Sequence, residues 1–150
     1  MTALPPGATV KNIRYVAHCD QGGRPDGVQV MVHKGHAFVG HMFSDGFSVI
    51  DVRDAKNQKT VVFAPAPKNT RSHHLQLHGD ILLAVNGPNI WAMQQYASQA
   101  DYYGKSLADS VQTEQPFGAG IRVFDVSQPA RPREIGFLNT AGLGAHRIWW

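Results

Sequence analysis

Residues 46–67 read GFSVIDVRDAKNQKTVVFAPAP, and residues 120–140 read GIRVFDVSQPARPREIGFLNT. Each opens with a glycine and a short alternating strand that closes on Asp-Val. A turn-forming cluster follows, Arg53-Asp54-Ala55-Lys56-Asn57 in one and Ser127-Gln128-Pro129 in the other, and then a second apolar run. Alternation broken by turn residues is the pattern of a β-hairpin. The chain carries that hairpin twice.

Working outward, each hairpin is preceded by two further short strands. Val28 to Val32 and Ala37 to Gly40 flank Lys34-Gly35, while Leu75 to Leu77 and Ile81 to Val85 flank Gly79-Asp80. Both separators suit tight turns. Asp51 and Asp125 stand 74 positions apart. Removing the long segment 86–118, roughly 30 residues, leaves a period in the low forties, the length of a four-stranded propeller blade.

The expected architecture is therefore all-β, a partial β-propeller. It has one four-stranded blade over 24–67 and a second over 70–140 that holds the insertion 86–118. The first strand of a third blade falls at 142–150, where Gly144-Ala145-His146-Arg147-Ile148 repeats the phase of Arg71-Ser72-His73-His74-Leu75. In the insertion, Ile90, Met93, Ala97, Ala100 and Tyr103 fall at helical spacing and predict a helix. Closing a propeller takes about four blades or more. The remaining blades are expected from another chain or a missing C-terminal part.

Strands closing in VIDV or VFDV, turns containing Asp-Ala or Gln-Pro-Ala, and a new inner strand about twenty residues later resemble the LVIVD-repeat family of β-propeller proteins. The resemblance spans about residues 12–150. It implies the fold; on activity it is silent, because propellers host unrelated chemistries.

Composition narrows the function. A formal charge of +3 comes from Lys and Arg scattered along the chain, without the dense basic runs that track a phosphate backbone, so nucleic acid is not an expected partner. No stretch approaches the ~18 apolar residues that cross a bilayer, and the first residues lack a signal-like pattern. A membrane is not an expected partner either. Cys19 is the single cysteine and has no disulfide or metal-site companion. The expected location is cytoplasmic.

Eight histidines are the unusual feature. Asp26, His73 and His146 each lie two residues before the apolar residue that opens an inner strand (Val28, Leu75, Ile148). On that alignment they ring the mouth of the central channel, with His41 and Asn86 ending second strands on the same face and Asp45 just beyond. Imidazoles converging on an axis suit a divalent transition metal. The candidate ligands are His73 and His146, with His74 as neighbour and His41 in reserve. Asp26 and Asp45 are the candidate acid–base residues. Arg71 is placed to hold a carboxylate substrate, and Trp91, Tyr96, Tyr102 and Tyr103 are offered by the insertion to a small-molecule ligand. His33, His36 and His78 read as solvated turn residues. His18 beside Cys19 is a possible thiolate pair without a second signature.

Two functions stay open. One is a metal-dependent enzyme acting on a small molecule at the channel mouth, as hydrolase, lyase or oxidase. The other is a non-catalytic binding platform in which the histidines are polar lining.

Overall fold

Strand β1 (Gly27–His33) alternates valine with bulkier or polar residues and runs into Lys34-Gly35, where both residues take positive φ, 45° and 71°. Two such residues make a turn whose twist matches a hairpin. β2 (His36–His41) therefore returns along β1 with His33 opposite His36 and Val30 opposite Val39. β3 (Gly46–Asp51) and β4 (Lys59–Pro65) continue the meander, and the first sheet has the order β1-β2-β3-β4.

The computed structural model describes residues 6–89, 104 and 116–150. Among these, the second sheet repeats the first. β5 (Thr70–Arg71) and β6 (Leu75–His78) lie along one edge of β7 (Ile81–Pro88), followed by β8 (Gly120–Asp125) and β9 (Arg133–Asn139). The two copies agree in register: His36 faces Asp51 as Ile81 faces Asp125. Both bulge at an equivalent place, between Val49 and Ile50 and between Val123 and Phe124, and the first sheet bulges again between Gly27 and Gln29. The chain is thus all-β over its described residues, with two antiparallel sheets.

The repeated residues have local causes. Asp51 Oδ1 accepts from the Arg53 amide at 3.0 Å, and Asp125 Oδ1 accepts from the Ser127 amide at 2.9 Å, so each Asp-Val closes its strand by turning the chain. The next valine prolongs the ladder, Val52 N–H donating to Gly35 O and Val126 N–H to Asp80 O. The opening glycines, Gly46 and Gly120, both sit at φ 156°. A Cβ there would run into the carbonyl oxygen of Ala64 or Leu138 on the partner strand.

The sheets pack face to face. Phe38, Phe47, Val49 and Ala64 of the first meet Leu75, Leu82, Ala84, Phe124 and Val126 of the second in one buried cluster. Phe47 stands at its centre, edge-on to Phe124 at 5.0 Å between ring centroids. Polar ties surround it: Leu75 N–H donates to Gln29 Oε1 at 2.7 Å, and Arg122 Nη1 donates to Pro65 O at 2.8 Å. The other face of the first sheet carries a smaller cluster of Ala37, Val39 and Ile50, against which Cys19 packs.

Several expectations change. Residues 142–150 form no strand. β1 and β6, by contrast, are laddered by β2 and β7. β7 runs two residues past Asn86, where the insertion was expected to begin. Residues 90–103 and 105–115, which hold the expected helix, lie outside the described residues. The turn histidines are also engaged. His33 Nε2 pairs with Asp80 Oδ1 at 2.7 Å, His36 is buried with Nδ1 donating to Lys34 O at 3.0 Å, and His78 stacks on Trp150 at 5.3 Å.

Candidate functional site

The register corrects the alignment on which the ring of site residues was built. Counting back from the paired turns, Val30 faces Val39 as Leu75 faces Ala84. Leu75 is thus the counterpart of Val30, His73 that of Val28, and Asp26 that of Arg71. Asp26 and His73 do not share a phase. Sequence matching slipped by two because period-two strands look alike after such a shift.

Asp26 serves the end of its own sheet. Its Oδ2 accepts from the amides of Phe43 and Ser44 at 2.6 and 2.7 Å, and its Oδ1 accepts from Ser44 Oγ at 2.6 Å and His41 Nδ1 at 3.0 Å. Burial alone would raise its pKa. The bonds from Ser44 and Phe43, with the field of His41, outweigh that and hold the carboxyl at about 2. It is an ionised clamp on the β2–β3 loop, with its lone pairs committed.

His41 spends both ring nitrogens. Nδ1–H donates to Asp26, which leaves Nε2 to accept from Ser48 Oγ at 2.8 Å. Burial lowers its pKa, against the opposing pull of Asp26, so the ring is neutral. The order Asp–His–Ser is that of an activated serine. Here His41 and Ser48 are fully buried, so no substrate reaches the hydroxyl, and the three residues brace β2 to β3. Sequence reading missed Ser48. Its signal was a hydroxyl at a buried parity inside FSVIDV, where the second copy carries Arg122.

Asp45 lies in the same loop and joins it to the second sheet. Its Oδ1 accepts from Asn89 Nδ2 at 2.8 Å and its Oδ2 from the Asn69 amide at 3.3 Å. Asp26, His41 and Asp45 are therefore bonded to neighbours of their own, apart from the remaining histidines.

Those histidines gather where the chain crosses from the first sheet to the second. Ser72 N–H donates to His41 O at 3.2 Å, and Ser72 Oγ donates to Asn86 Oδ1 at 2.9 Å. Gly40 permits the crossing: a Cβ on it would lie 2.5 Å from Ser72 O and 2.9 Å from His73 O. His73 is held just beyond, 3% exposed, and neither of its ring nitrogens has a hydrogen-bond partner among the described residues. Its ring stands 4.9 Å from that of His146 and 6.3 Å from that of His74. His146 is exposed, so the pair runs from interior to solvent. His74 Nδ1 and Arg71 Nε are likewise buried without a partner among the described residues.

The electrostatics of this cluster are positive. Burial, then Arg71, His146, His74 and Arg147, push His73 down to about 4. Burial, Arg147 and His146 also lower His74, and burial lowers Arg71. Around neutral pH the His73 ring is uncharged, and among the described residues nothing bonds to the nitrogen that carries its lone pair. No group of three or more His, Cys, Asp or Glu side chains converges as a metal cage among the described residues. Two imidazoles fall short of the three protein ligands usual at catalytic zinc.

The structure thus brings together His73, His74, His146 and Arg71. It places His41, Asp26 and Asp45 in separate hydrogen-bond networks. Trp91, Tyr96, Tyr102 and Tyr103 lie outside the described residues. No helix among the described residues is long and apolar enough to cross a membrane. No protein-family model matches this chain, and no curated protein matches it.

Proposed function

We propose that this chain contributes two blades to a β-propeller of the LVIVD-repeat kind, and that the crossing cluster around His73 is its small-molecule binding site. A four-stranded meander and a five-stranded sheet that contains the matching meander β6-β7-β8-β9, packed face to face, support the propeller reading. In such a fold β1 and β6 are inner strands, and the crossing before β6 opens at the channel mouth.

One observation carries the site: His73 is buried, both of its ring nitrogens lack a partner among the described residues, and it adjoins the exposed ring of His146. Burying a polar group unpaired costs about 1–3 kcal/mol. A fold that bears this cost gains where a ligand supplies the missing bond, which is how binding sites trade stability for function.

His73→Phe tests this directly. The variant is expected to gain about 1 kcal/mol in urea unfolding, since an apolar ring removes the unpaired nitrogens. A loss of 2 kcal/mol or more, by the same scale, would make His73 an ordinary structural residue.

A metal-dependent enzyme is the second reading, favoured by the proximity of two neutral imidazoles. A divalent transition metal there would draw its other ligands from outside the described residues or from further blades. Elemental analysis decides it: stoichiometric metal in the purified chain that vanishes in the His73→Ala, His146→Ala double variant supports this reading. Metal-free protein leaves the binding site without one.

A further inference from the structure

The cluster contains more than histidine. Arg71 leads into it from β5, beside Gly87, and a Cβ on that glycine would lie 3.5 Å from Arg71 Nε. Arg71 makes no ion pair among the described residues, and its Nε is buried without a hydrogen-bond partner there. Burial lowers the pKa of its guanidinium. By contrast Arg53, Arg122 and Arg133 each reach an acid, Asp51, Glu134 and Asp125. Among the described residues Arg24 is also half-buried without an acid, but its guanidinium lies over the Phe63 ring and donates to Gly22 O, whereas Arg71 Nε is left without a hydrogen-bond partner.

The groups whose fields reach His73 are Arg71, His146, His74 and Arg147, two arginines and two imidazoles. The acids nearby in sequence are spent elsewhere, Asp45 on Asn89 and Asn69, and Asp80 on His33 and Lys34. An uncompensated guanidinium set among imidazoles is a poor environment for a bare cation. It is a good one for an anion, because guanidinium offers paired donors to two oxygens.

We infer that Arg71, His73, His74 and His146 form a receptor for the oxyanion group of a small molecule, a carboxylate or a phosphoryl group, anchored on Arg71. This deepens the proposed function and rests on its reading of His73 as a ligand site. The anion takes the Arg71 donors, His73 offers its N–H behind it, and exposed His146 and Arg147 line the approach.

The test uses the full chain treated with chelator, titrated calorimetrically with inorganic phosphate and, separately, with acetate. Saturable binding of either is expected, and the stronger arm identifies the phosphoryl or carboxylate class. Arg71→Gln is expected to weaken it roughly ten- to a hundredfold, the range of a charge-assisted hydrogen bond, while Arg133→Gln leaves it unchanged. Arg147→Gln, an exposed change that leaves folding intact, is expected to weaken it by about threefold. No saturable binding of either anion, or equal loss in Arg71→Gln and Arg133→Gln, overturns the inference. Binding that survives Arg71→Gln but disappears in His73→Phe also overturns it, while leaving His73 as a ligand residue. Binding lost in Arg71→Gln yet untouched in His73→Phe upholds the anion and instead breaks the reading of His73.

Discussion

The two sheets have one register and unequal surroundings. Val30 and Leu75 hold the same place in their inner strands, yet Val30 is 56% exposed and Leu75 is fully buried. On the outer strands Ala64 is 8% exposed while its counterpart Leu138 is 59% exposed. The pattern follows the interface in part: each sheet buries the face it turns to the other, and on the opposite face of the first sheet Ala37, Val39 and Ile50 are buried as well while Val30 stays exposed. A strand's alternation therefore decides which residues point one way, and the neighbouring sheet decides whether that way is inside.

The largest test of this contrast sits at Phe47 and its counterpart Ile121. Phe47→Ala is expected to cost about 3–5 kcal/mol in chemical unfolding, because the ring fills the centre of the shared core against Phe38 and Phe124. Ile121→Ala, at a half-buried place, is expected to cost less than half as much. Equal costs would mean that the sheets do not stabilise one another through this face.

Next comes Asp26, whose counterpart is Arg71. Asp26→Asn is expected to destabilise by about 1–3 kcal/mol, since four hydrogen bonds converge on the carboxylate. Its pKa is lower folded, about 2, than unfolded, 3.8, so the unfolded chain binds more protons between those values. The stabilisation is full above about pH 4 and is lost as pH falls towards 2. A urea-midpoint profile against pH should lose that acid limb in Asp26→Asn, and an unchanged profile would refute the clamp.

The smallest effect is expected at Val30. Val30→Ser should change stability by no more than about 0.5 kcal/mol, since its side chain faces solvent, whereas Leu75→Ser should destabilise severely. The same Val30→Ser change measured with further blades present is expected to become costly, which sharpens the propeller reading.

Much of the fold was legible because its determinants are local. The turn residues Lys34-Gly35 and the Asp51 and Asp125 caps act within a few positions of themselves, and each strand's alternation marks its faces. The site was legible in part. The rings of His73 and His146 lie 4.9 Å apart, and Arg71 is near enough for its field to reach His73. Asp26, His41 and Asp45 do not, because whether a polar side chain is free depends on which loop amides and hydroxyls meet it. Ser44, Ser48 and Asn89 carry no mark of that role in a linear reading.

By itself, then, the sequence determined the meander, its doubling and the turns, all of which follow from steric and hydrogen-bonding preferences of adjacent residues. Only the tertiary structure decided which faces are core and how the two copies align. It also decided which buried polar groups lack a partner among the described residues. Those depend on contacts between residues some 45 positions apart, such as Leu75 N–H on Gln29 and Asn89 on Asp45. Period-two strands cannot encode such contacts, because a shift of two residues leaves their pattern unchanged.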